Sequence, residues 1–290
     1  LDISKASPVI DGEGTIYVVE DTAALDRLHA VYFNGTRKWT QNLSTGTGAS
    51  SPTLDVAAGR IYVGSGARIF AITASNGSYV DDGILATLDW VTKIGAAPAT
   101  PGLTIPAGLV NTTLVLSADN DDLWALNYVG YLYRINPVTG LVVDGNLALA
   151  GTQPMVTGVG AVGDGVAPAI QSDPYNAGYD IIAFTAGARL YRVVWNNAGP
   201  ALVSTQYWAY AGTLGNASPV IDANGWTYTL DSLGYLRAHY RYAFLSVVFA
   251  KKVATQGTLA GGPIIGNGTN GTAGVYVPSR NNTFYKVGKP

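Results

Sequence analysis

The chain contains no cysteine and a single methionine in its 290 residues. Without cysteine it can have neither a disulfide framework nor a thiolate metal site. Charged residues make up only 12% of the chain, and the formal net charge is −2, whereas about a quarter of the residues are charged in an average soluble domain. Nucleic-acid binding requires a basic footprint. We therefore expect no nucleic-acid partner.

Long apolar runs and helical periodicity are also missing from the sequence. A membrane-spanning helix needs roughly 20 consecutive apolar residues, so we expect no membrane span. The lack of cysteine and the near-absence of methionine remove two thermolabile residue types. This bias is typical of a hot or oxidising cell exterior and suggests a thermophilic source.

Six stretches of the chain repeat one pattern, each anchored by a proline. Three apolar residues follow each proline, then a turn rich in Gly, Asp or Asn, then an alternating apolar run. This order predicts a strand, a hairpin turn and a second strand. The anchors are Pro8, Pro52, Pro101, Pro168, Pro219 and Pro263, with spacings of 44, 49, 67, 51 and 44.

A third strand follows in every copy, and a fourth, marked by an aromatic residue, follows in most. The third strands are predicted at LHAVYF, RIFAIT, YLYRIN, RLYRVV, YLRAHY and TFYKVG, and the fourth strands at Trp39, Trp90, Trp208 and Phe249. Repeats of this length with several short strands are typical of a β-propeller. We predict an all-β chain, a single six-bladed β-propeller of four-stranded antiparallel blades.

The repeats run from end to end, so residues 1–290 are assigned to one domain. The blades are predicted at about 7–44, 45–94, 95–150, 151–211, 212–254 and 255–290. The 67-residue spacing leaves a seven-bladed alternative open; an elaborated loop at 118–130 and the glycine-rich run at 151–165 also explain it. The last copy lacks a fourth strand, and we expect residues 1–6 to complete it, because a closed ring leaves no exposed sheet edge. The closing strand is predicted at Leu1, Asp2, Ile3, Ser4 and Lys5.

The turn between the third and fourth strands carries a family resemblance. In the first copy this turn contains Ala30, Asn34, Gly35 and Trp39. The second copy contains Ala71, Asn76 and Gly77, and Asp81 replaces the tryptophan. The third copy contains Asn136, Thr139 and Gly140, and Asp144 stands at the tryptophan position. The whole chain resembles the pyrroloquinoline-quinone (PQQ)-type repeat propellers. The resemblance to the quinone enzymes of this family implies a calcium ion held by carboxylate and amide groups, and a catalytic carboxylate. Many of these enzymes also have adjacent cysteines. The resemblance to its non-enzymatic members implies a scaffold or a cell-surface or envelope protein.

Eight N-glycosylation sequons occur in the sequence. With 17 Asn and 42 Ser plus Thr in the chain, chance would place about 2.5. This excess predicts an extracellular glycoprotein with N-linked glycans, although Asn-Gly-Thr and Asn-Gly-Ser are also good turn sequences. The sequons are at Asn34, Asn42, Asn76, Asn111, Asn216, Asn267, Asn270 and Asn281.

The densest set of oxygen ligands is at Asp119, Asp121 and Asp122. Short carboxylates on a loop suit a hard cation such as Ca²⁺, although an ordinary polar turn has the same composition. If a metal binds, we expect Ca²⁺ here; otherwise no cofactor and no catalytic residue is predicted. The two histidines, His29 and His239, lie in predicted third strands without a hydrolase pattern around them, and we expect them to be structural.

These features favour a secreted, glycosylated structural or interaction protein at the cell surface rather than an enzyme. Its expected partners are other copies of itself or other surface proteins. A strand that completes a sheet in its own chain can also complete one in a neighbour, which predicts self-assembly into a filament or lattice. The alternatives are a PQQ- and calcium-dependent sugar or alcohol dehydrogenase and a glycan-binding propeller.

Overall fold

The computed structural model describes residues 6–44, 48–80, 91–92, 100–101, 103–104, 110, 112–128, 130–140, 142–143, 162, 166–186, 189–197, 201–209, 217–240, 249–253, 262–267, 273–279 and 283–288. These residues form β-strands and turns, and no helix long and apolar enough to cross a membrane occurs among them. All strand pairs are antiparallel. The chain divides into two compact units, Leu1–Gly158 and Val159–Pro290.

The first unit contains three four-stranded sheets and a two-stranded hairpin. The first sheet is formed by β1 (Val9–Ile10), β2 (Ile16–Glu20), β3 (Arg27–Val31) and β4 (Arg37–Asn42). The second is formed by β5 (Thr53–Asp55), β6 (Arg60–Ser65), β7 (Arg68–Thr73) and β10 (Leu103–Thr104), and the hairpin by β8 (Val91–Thr92) and β9 (Thr100–Pro101). The third is formed by β11 (Val115–Leu116), β12 (Leu123–Leu126), β13 (Leu132–Ile135) and β14 (Val142–Val143).

The second unit contains two four-stranded sheets and one of three strands. The fourth sheet is formed by β15 (Ala169–Ser172), β16 (Tyr179–Ala186), β17 (Arg189–Asn196) and β18 (Ala201–Ala209). The fifth is formed by β19 (Val220–Ile221), β20 (Thr227–Leu230), β21 (Tyr235–His239) and β22 (Phe249–Lys252). The last sheet is formed by β23 (Ile264–Asn267), β24 (Ala273–Ser279) and β25 (Thr283–Gly288).

The predicted third strands are confirmed in all six sheets, as β3, β7, β13, β17, β21 and β25. Fourth strands are confirmed at Trp39, Trp208 and Phe249, which lie in β4, β18 and β22. Trp90 lies outside the described residues, and the outer strand of the second sheet is instead β10. The antiparallel all-β prediction is therefore confirmed, whereas the single domain and the blade boundaries stay predictions.

The start predicted for the third repeat, at Pro101, is wrong. Pro101 does not open the first strand of the third sheet; it lies in β9, paired with β8. The first strand is β11, predicted as a second strand, and the expected loop at 118–130 contains β12. The third sheet begins at β11 because a polar turn at 117–122 separates it from the apolar run of β12. This is the same order of strand, turn and strand that follows the other anchor prolines.

The residue before the anchor proline joins neighbouring repeats. The backbone N–H of Ser7 donates to the Ser51 hydroxyl at 2.8 Å, and that of Ala167 donates to the Ser218 hydroxyl at 2.9 Å. At Gly262 a Cβ atom would lie 2.5 Å from the Ser218 carbonyl oxygen. This close approach explains why glycine stands at position 262.

Apolar side chains from facing sheets form the core within each unit. Tyr17, Val19 and Leu28 of the first sheet pack with Ile61 and Phe70 of the second. Burial of such side chains contributes about 1.5–3 kcal/mol each. In the second unit the fifth and last sheets share an equivalent cluster around Tyr228, Leu236 and Val275. These cores hold the turns at the ends of the sheets in fixed positions.

Candidate functional site

A carboxylate closes the turn after the first strand in several repeats. Asp11 Oδ1 accepts from the backbone N–H groups of Glu13 and Thr15, at 2.9 and 2.8 Å, and Tyr17 donates its hydroxyl to Oδ2 at 2.9 Å. Burial raises the pKa of Asp11, but these hydrogen bonds outweigh it and hold the pKa below its ordinary value. Burial and the Asp11 carboxylate raise the pKa of Tyr17 to about 12.

Asp222 repeats this arrangement in the second unit. Its Oδ1 accepts from the N–H groups of Asn224 and Trp226, at 2.9 and 3.0 Å, and Tyr228 donates to Oδ2 at 3.3 Å. The aspartates therefore stabilise turns, and their oxygens are occupied by turn hydrogen bonds.

Trp39 connects the first repeat to the second. Its indole N–H donates to the Ala74 carbonyl at 3.0 Å, and its ring lies against Gly77. Tyr17 contributes to the same contact, with ring centroids 5.8 Å apart from Trp39. The predicted turn motif is thus a packing element in the first repeat. Asp81 and Asp144, which stand at the tryptophan position in the next two copies, lie outside the described residues.

A groove of about 450 Å³ opens beside this contact, between turns of the first and second sheets. Its volume lies within the range of about 300–1,000 Å³ that small-ligand sites show. The lining is mixed in character. It includes Asp11, Glu13 and Lys38 from the first sheet, and Asp55, Val56 and Ser75 from the second.

Exposed apolar side chains stand on the turns around the groove. Phe33 is 83% exposed and Val56 is 74% exposed. Phe33 lies on the turn between β3 and β4, where its Cβ atom is 4.0 Å from the place a Cβ atom would occupy at Gly14.

The sequons on these turns present their amide groups to solvent. Asn34 and Asn76 are exposed in the turns that follow β3 and β7. The side-chain oxygen of Asn34 accepts from Thr36 N–H at 2.9 Å, and that of Asn76 accepts from the N–H and hydroxyl of Ser78 at 3.0 and 2.8 Å. The turn therefore uses the amide oxygen, and these hydrogen bonds do not involve Nδ2, the atom to which an N-linked sugar attaches.

The other sequons differ in what the structure describes. Asn42 is exposed at the end of β4, and the backbone of Asn267 ends β23. Asn111, Asn216, Asn270 and Asn281 lie outside the described residues. Occupancy of all eight sequons stays a prediction.

The acidic run at 119–122 is a closed turn. Asp122 is buried and its Oδ1 lies 2.6 Å from Arg134 Nε, whereas Asp119 and Asp121 are exposed. The Ser117 hydroxyl donates to Asp119 Oδ1 at 2.5 Å and holds the pKa of that carboxyl below its ordinary value. In the described part of the chain, no three acidic, histidine or cysteine side chains are grouped to hold a metal. The Ca²⁺ prediction therefore has no converging ligand set there to support it, and it stays a prediction.

Both histidines are buried in strands. His29 lies between Thr40 Oγ1, 2.9 Å from Nδ1, and Glu20 Oε2, 3.1 Å from Nε2. These groups belong to the adjacent strands β2, β3 and β4. Burial lowers the pKa of His239 to about 3, and the positive charges of Arg237 and Arg192 act in the same direction.

A buried carboxyl that the sequence did not single out joins the first two sheets. Asp26 is 0% exposed, and its Oδ2 accepts from the Ser65 hydroxyl at 2.6 Å. Burial raises its pKa to about 6, and the nearby Asp21 carboxylate adds to the rise. Asp26 stands in a short Asp-rich turn, where the sequence gives no sign of burial.

The last sheet has three strands among the described residues. β25 pairs with β24 on one side, and no described strand pairs with its other edge. The predicted closing residues Leu1, Asp2, Ile3, Ser4 and Lys5 lie outside the described residues.

Comparison with known proteins identifies the fold. BamB from Moraxella catarrhalis is 15% identical, with a TM-score of 0.58 over 100% of this chain and 72% of that one. A europium-containing methanol dehydrogenase is 13% identical, with a TM-score of 0.61 over 96% of this chain and 66% of that one. Both are PQQ-like β-propellers. This chain has the same fold.

The comparisons extend no further than the fold. No family model matches the chain, and no curated protein matches it. The chain spans just under two thirds of the length of the methanol dehydrogenase. Because one fold hosts many activities, its function has to be argued from its own surfaces.

Proposed function

We propose that this PQQ-like propeller is a secreted, glycosylated, non-catalytic interaction protein at the cell surface that assembles through its last sheet. The observation that carries the proposal is that, among the described residues, the last sheet has three strands and the outer edge of β25 has no partner. The other larger sheets each have a fourth strand. An unpaired edge presents a row of backbone donors and acceptors to another strand.

Residues 1–6 are the strand that we propose for this edge. Leu1 and Ile3 alternate with Asp2 and Ser4, as expected of a strand with one buried face. Supplied by the same chain, this strand closes a ring of six blades. Supplied by a neighbour, it joins copies head to tail and builds a filament.

The exposed sequons support the extracellular part of the proposal. Asn34 and Asn76 combine solvent exposure with an Nδ2 atom that the turn does not use. A low content of charge, 12% of residues, limits electrostatic repulsion between copies. Together these features suit a glycosylated surface assembly.

The test compares Ile3→Asp with Ser4→Asp in the full chain, by light scattering and negative-stain electron microscopy. Both variants add one carboxylate, but only Ile3→Asp places it on the apolar side of the proposed strand. We expect filaments or sheets from the unmodified chain and Ser4→Asp, and 30.2 kDa chains carrying only glycan from Ile3→Asp. Monomers of equal thermal stability in all three would contradict the proposal. Monomers in which only Ile3→Asp lowers Tm would support ring closure and reject assembly.

A quinone-dependent dehydrogenase is the second candidate, favoured by the fold shared with the methanol dehydrogenase. The turn aspartates Asp11 and Asp222 are occupied by backbone and tyrosine hydrogen bonds, which does not support this alternative. A dye-reduction assay tests this alternative. The protein is incubated with PQQ and either Ca²⁺ or a lanthanide, and a panel of alcohols and sugars is supplied as substrates. Saturable, quinone-dependent turnover would replace the non-catalytic proposal.

A further inference from the structure

Two sequons stand close in sequence to residues that line the groove between the first two sheets. Ser75 lines the groove, and Asn76 is the next residue along the chain. On the other side Lys38 lines the groove from β4, and Asn34 lies in the turn that leads into that strand. Asn76 therefore stands beside a concave surface of about 450 Å³.

The chemistry of this surface suits a carbohydrate. The hydroxyl groups of a sugar donate hydrogen bonds to carboxylates and accept them from ammonium groups. The C–H faces of its ring pack against apolar side chains. Glu13 and Lys38 supply the charged groups, and Val56 supplies exposed apolar area. The exposed ring of Phe33 lies beside the same turn of the first sheet.

The turn that carries Asn76 is held rigidly against the groove wall. Trp39 donates its indole N–H to the Ala74 carbonyl at 3.0 Å, and Gly77 packs under the indole. The Tyr17 hydroxyl, which donates to Asp11, lies 3.4 Å from the same carbonyl. A glycan at position 76 thus starts from a fixed point rather than from a mobile loop. Little ordering entropy remains to be lost at the attachment site when the first sugars settle on the protein.

We propose that this groove is the seat of the chain's own N-linked glycan, attached at Asn76. The proposal rests on the glycosylation in the proposed function and gives it a structural role. The first sugars bridge the turns of the first and second sheets and stabilise the contact between these two repeats.

The experiment uses full-length protein from a glycosylating host and from a host without N-glycosylation. Ser78→Ala removes the sequon at Asn76, whereas Ser78→Thr keeps both the sequon and the hydroxyl that bonds Asn76. Ala58→Trp fills the groove, and Ala57→Trp is its matched control, since Ala57 is exposed nearby but does not line the groove. Glycopeptide masses at all eight sequons are measured first.

We expect glycosylation to raise Tm by about 2 °C or more in the unmodified chain, Ser78→Thr and Ala57→Trp. The rise should be smaller in Ser78→Ala and Ala58→Trp, which lose the Asn76 glycan or its seat while the other sequons are unchanged. Amide exchange at residues 12–14 and 56–59 should slow only when the glycan is present and the groove is open. A glycan at Asn76 that changes neither Tm nor exchange would overturn this inference and leave the proposed function intact. Absence of glycan at Asn76 would also overturn this inference, whereas only its absence at all eight sequons would overturn the glycosylation in the proposed function.

Discussion

Gly77 lies directly against the indole ring of Trp39. A Cβ atom at position 77 would be 2.7 Å from the Cδ2 and Cε3 atoms of that ring, and the backbone there has φ of +77°. Only glycine permits both the conformation and the approach. The contact lets one repeat fix the turn of the next.

Gly77→Ala should therefore destabilise the protein by about 2–4 kcal/mol, since backbone strain adds to an overlap with the ring. Gly35→Ala is the control, because Gly35 has φ of +84° but no atom within 4 Å of its Cβ position. We expect about 1 kcal/mol for the control. Equal losses in denaturant unfolding of the two variants would show that the ring contact contributes nothing.

Ser51→Ala should cost about 1 kcal/mol, because the N–H of Ser7 loses its acceptor in the neighbouring repeat. Ser218→Ala should behave alike in protein from a host without N-glycosylation, since Ala167 uses the same contact and Ser218 also completes the sequon at Asn216. Ser172→Ala, at an exposed position, should change the free energy of unfolding by less than about 0.5 kcal/mol. If all three variants unfold alike in urea, the inter-repeat hydrogen bond has no energetic role.

Asp26→Asn should stabilise the protein above pH 6. Its folded-state pKa is raised from 3.8 to about 6, so the folded chain holds this proton more tightly than the unfolded chain does. Its contribution to stability is therefore fully present below pH 4 and is lost as pH rises to about 6. The loss is on the order of 3 kcal/mol.

The measurement for Asp26 is the Tm difference between Asp26→Asn and the unmodified chain from pH 3 to pH 8. Carboxyls with lowered pKa, such as Asp11 and Glu20, act in the opposite direction in both proteins and cancel in the difference. A difference that does not grow between pH 4 and pH 6 would contradict the buried, protonated Asp26.

His239 should remain neutral far into the acid range. Because its folded-state pKa is lowered from 6.5 to about 3, the unfolded chain takes up the proton first. Its contribution is present above pH 6.5 and is lost as pH falls towards 3, by on the order of 4 kcal/mol. The imidazole NMR signals of His239 should not titrate between pH 8 and pH 4. A midpoint near 6.5 would show that the ring is solvated or paired with a carboxylate.

The strand order was readable from the sequence where local signals agreed. Alternating residues at RIFAIT and RLYRVV correspond to β7 and β17, because period-two patterning and burial coincide there. The predicted start of the third repeat is wrong because Pro101, which has the sequence pattern of an anchor proline, lies in a separate hairpin. The first strand of the third sheet begins at Val115 and has no proline directly before it. Local pattern alone does not distinguish these cases.

The candidate site was less accessible to sequence reasoning. The exposed amides of Asn34 and Asn76 followed from Asn-Gly turns, which is a local property. The groove, the buried Asp26 and the inward turn of Asp122 towards Arg134 depend on packing between strands distant in sequence. Burial and partner identity of this kind require the tertiary fold.

The contact before the anchor prolines Pro8 and Pro168 also bears on how such a protein arises. Ser51 and Ser218 receive the same backbone group from the repeat before them, in different parts of the chain. A duplicated repeat therefore arrives with a donor and an acceptor that already match its neighbours. Gene duplication can lengthen the array, or deletion shorten it, without inventing a new interface, and copy number becomes a variable that evolution can change in single steps.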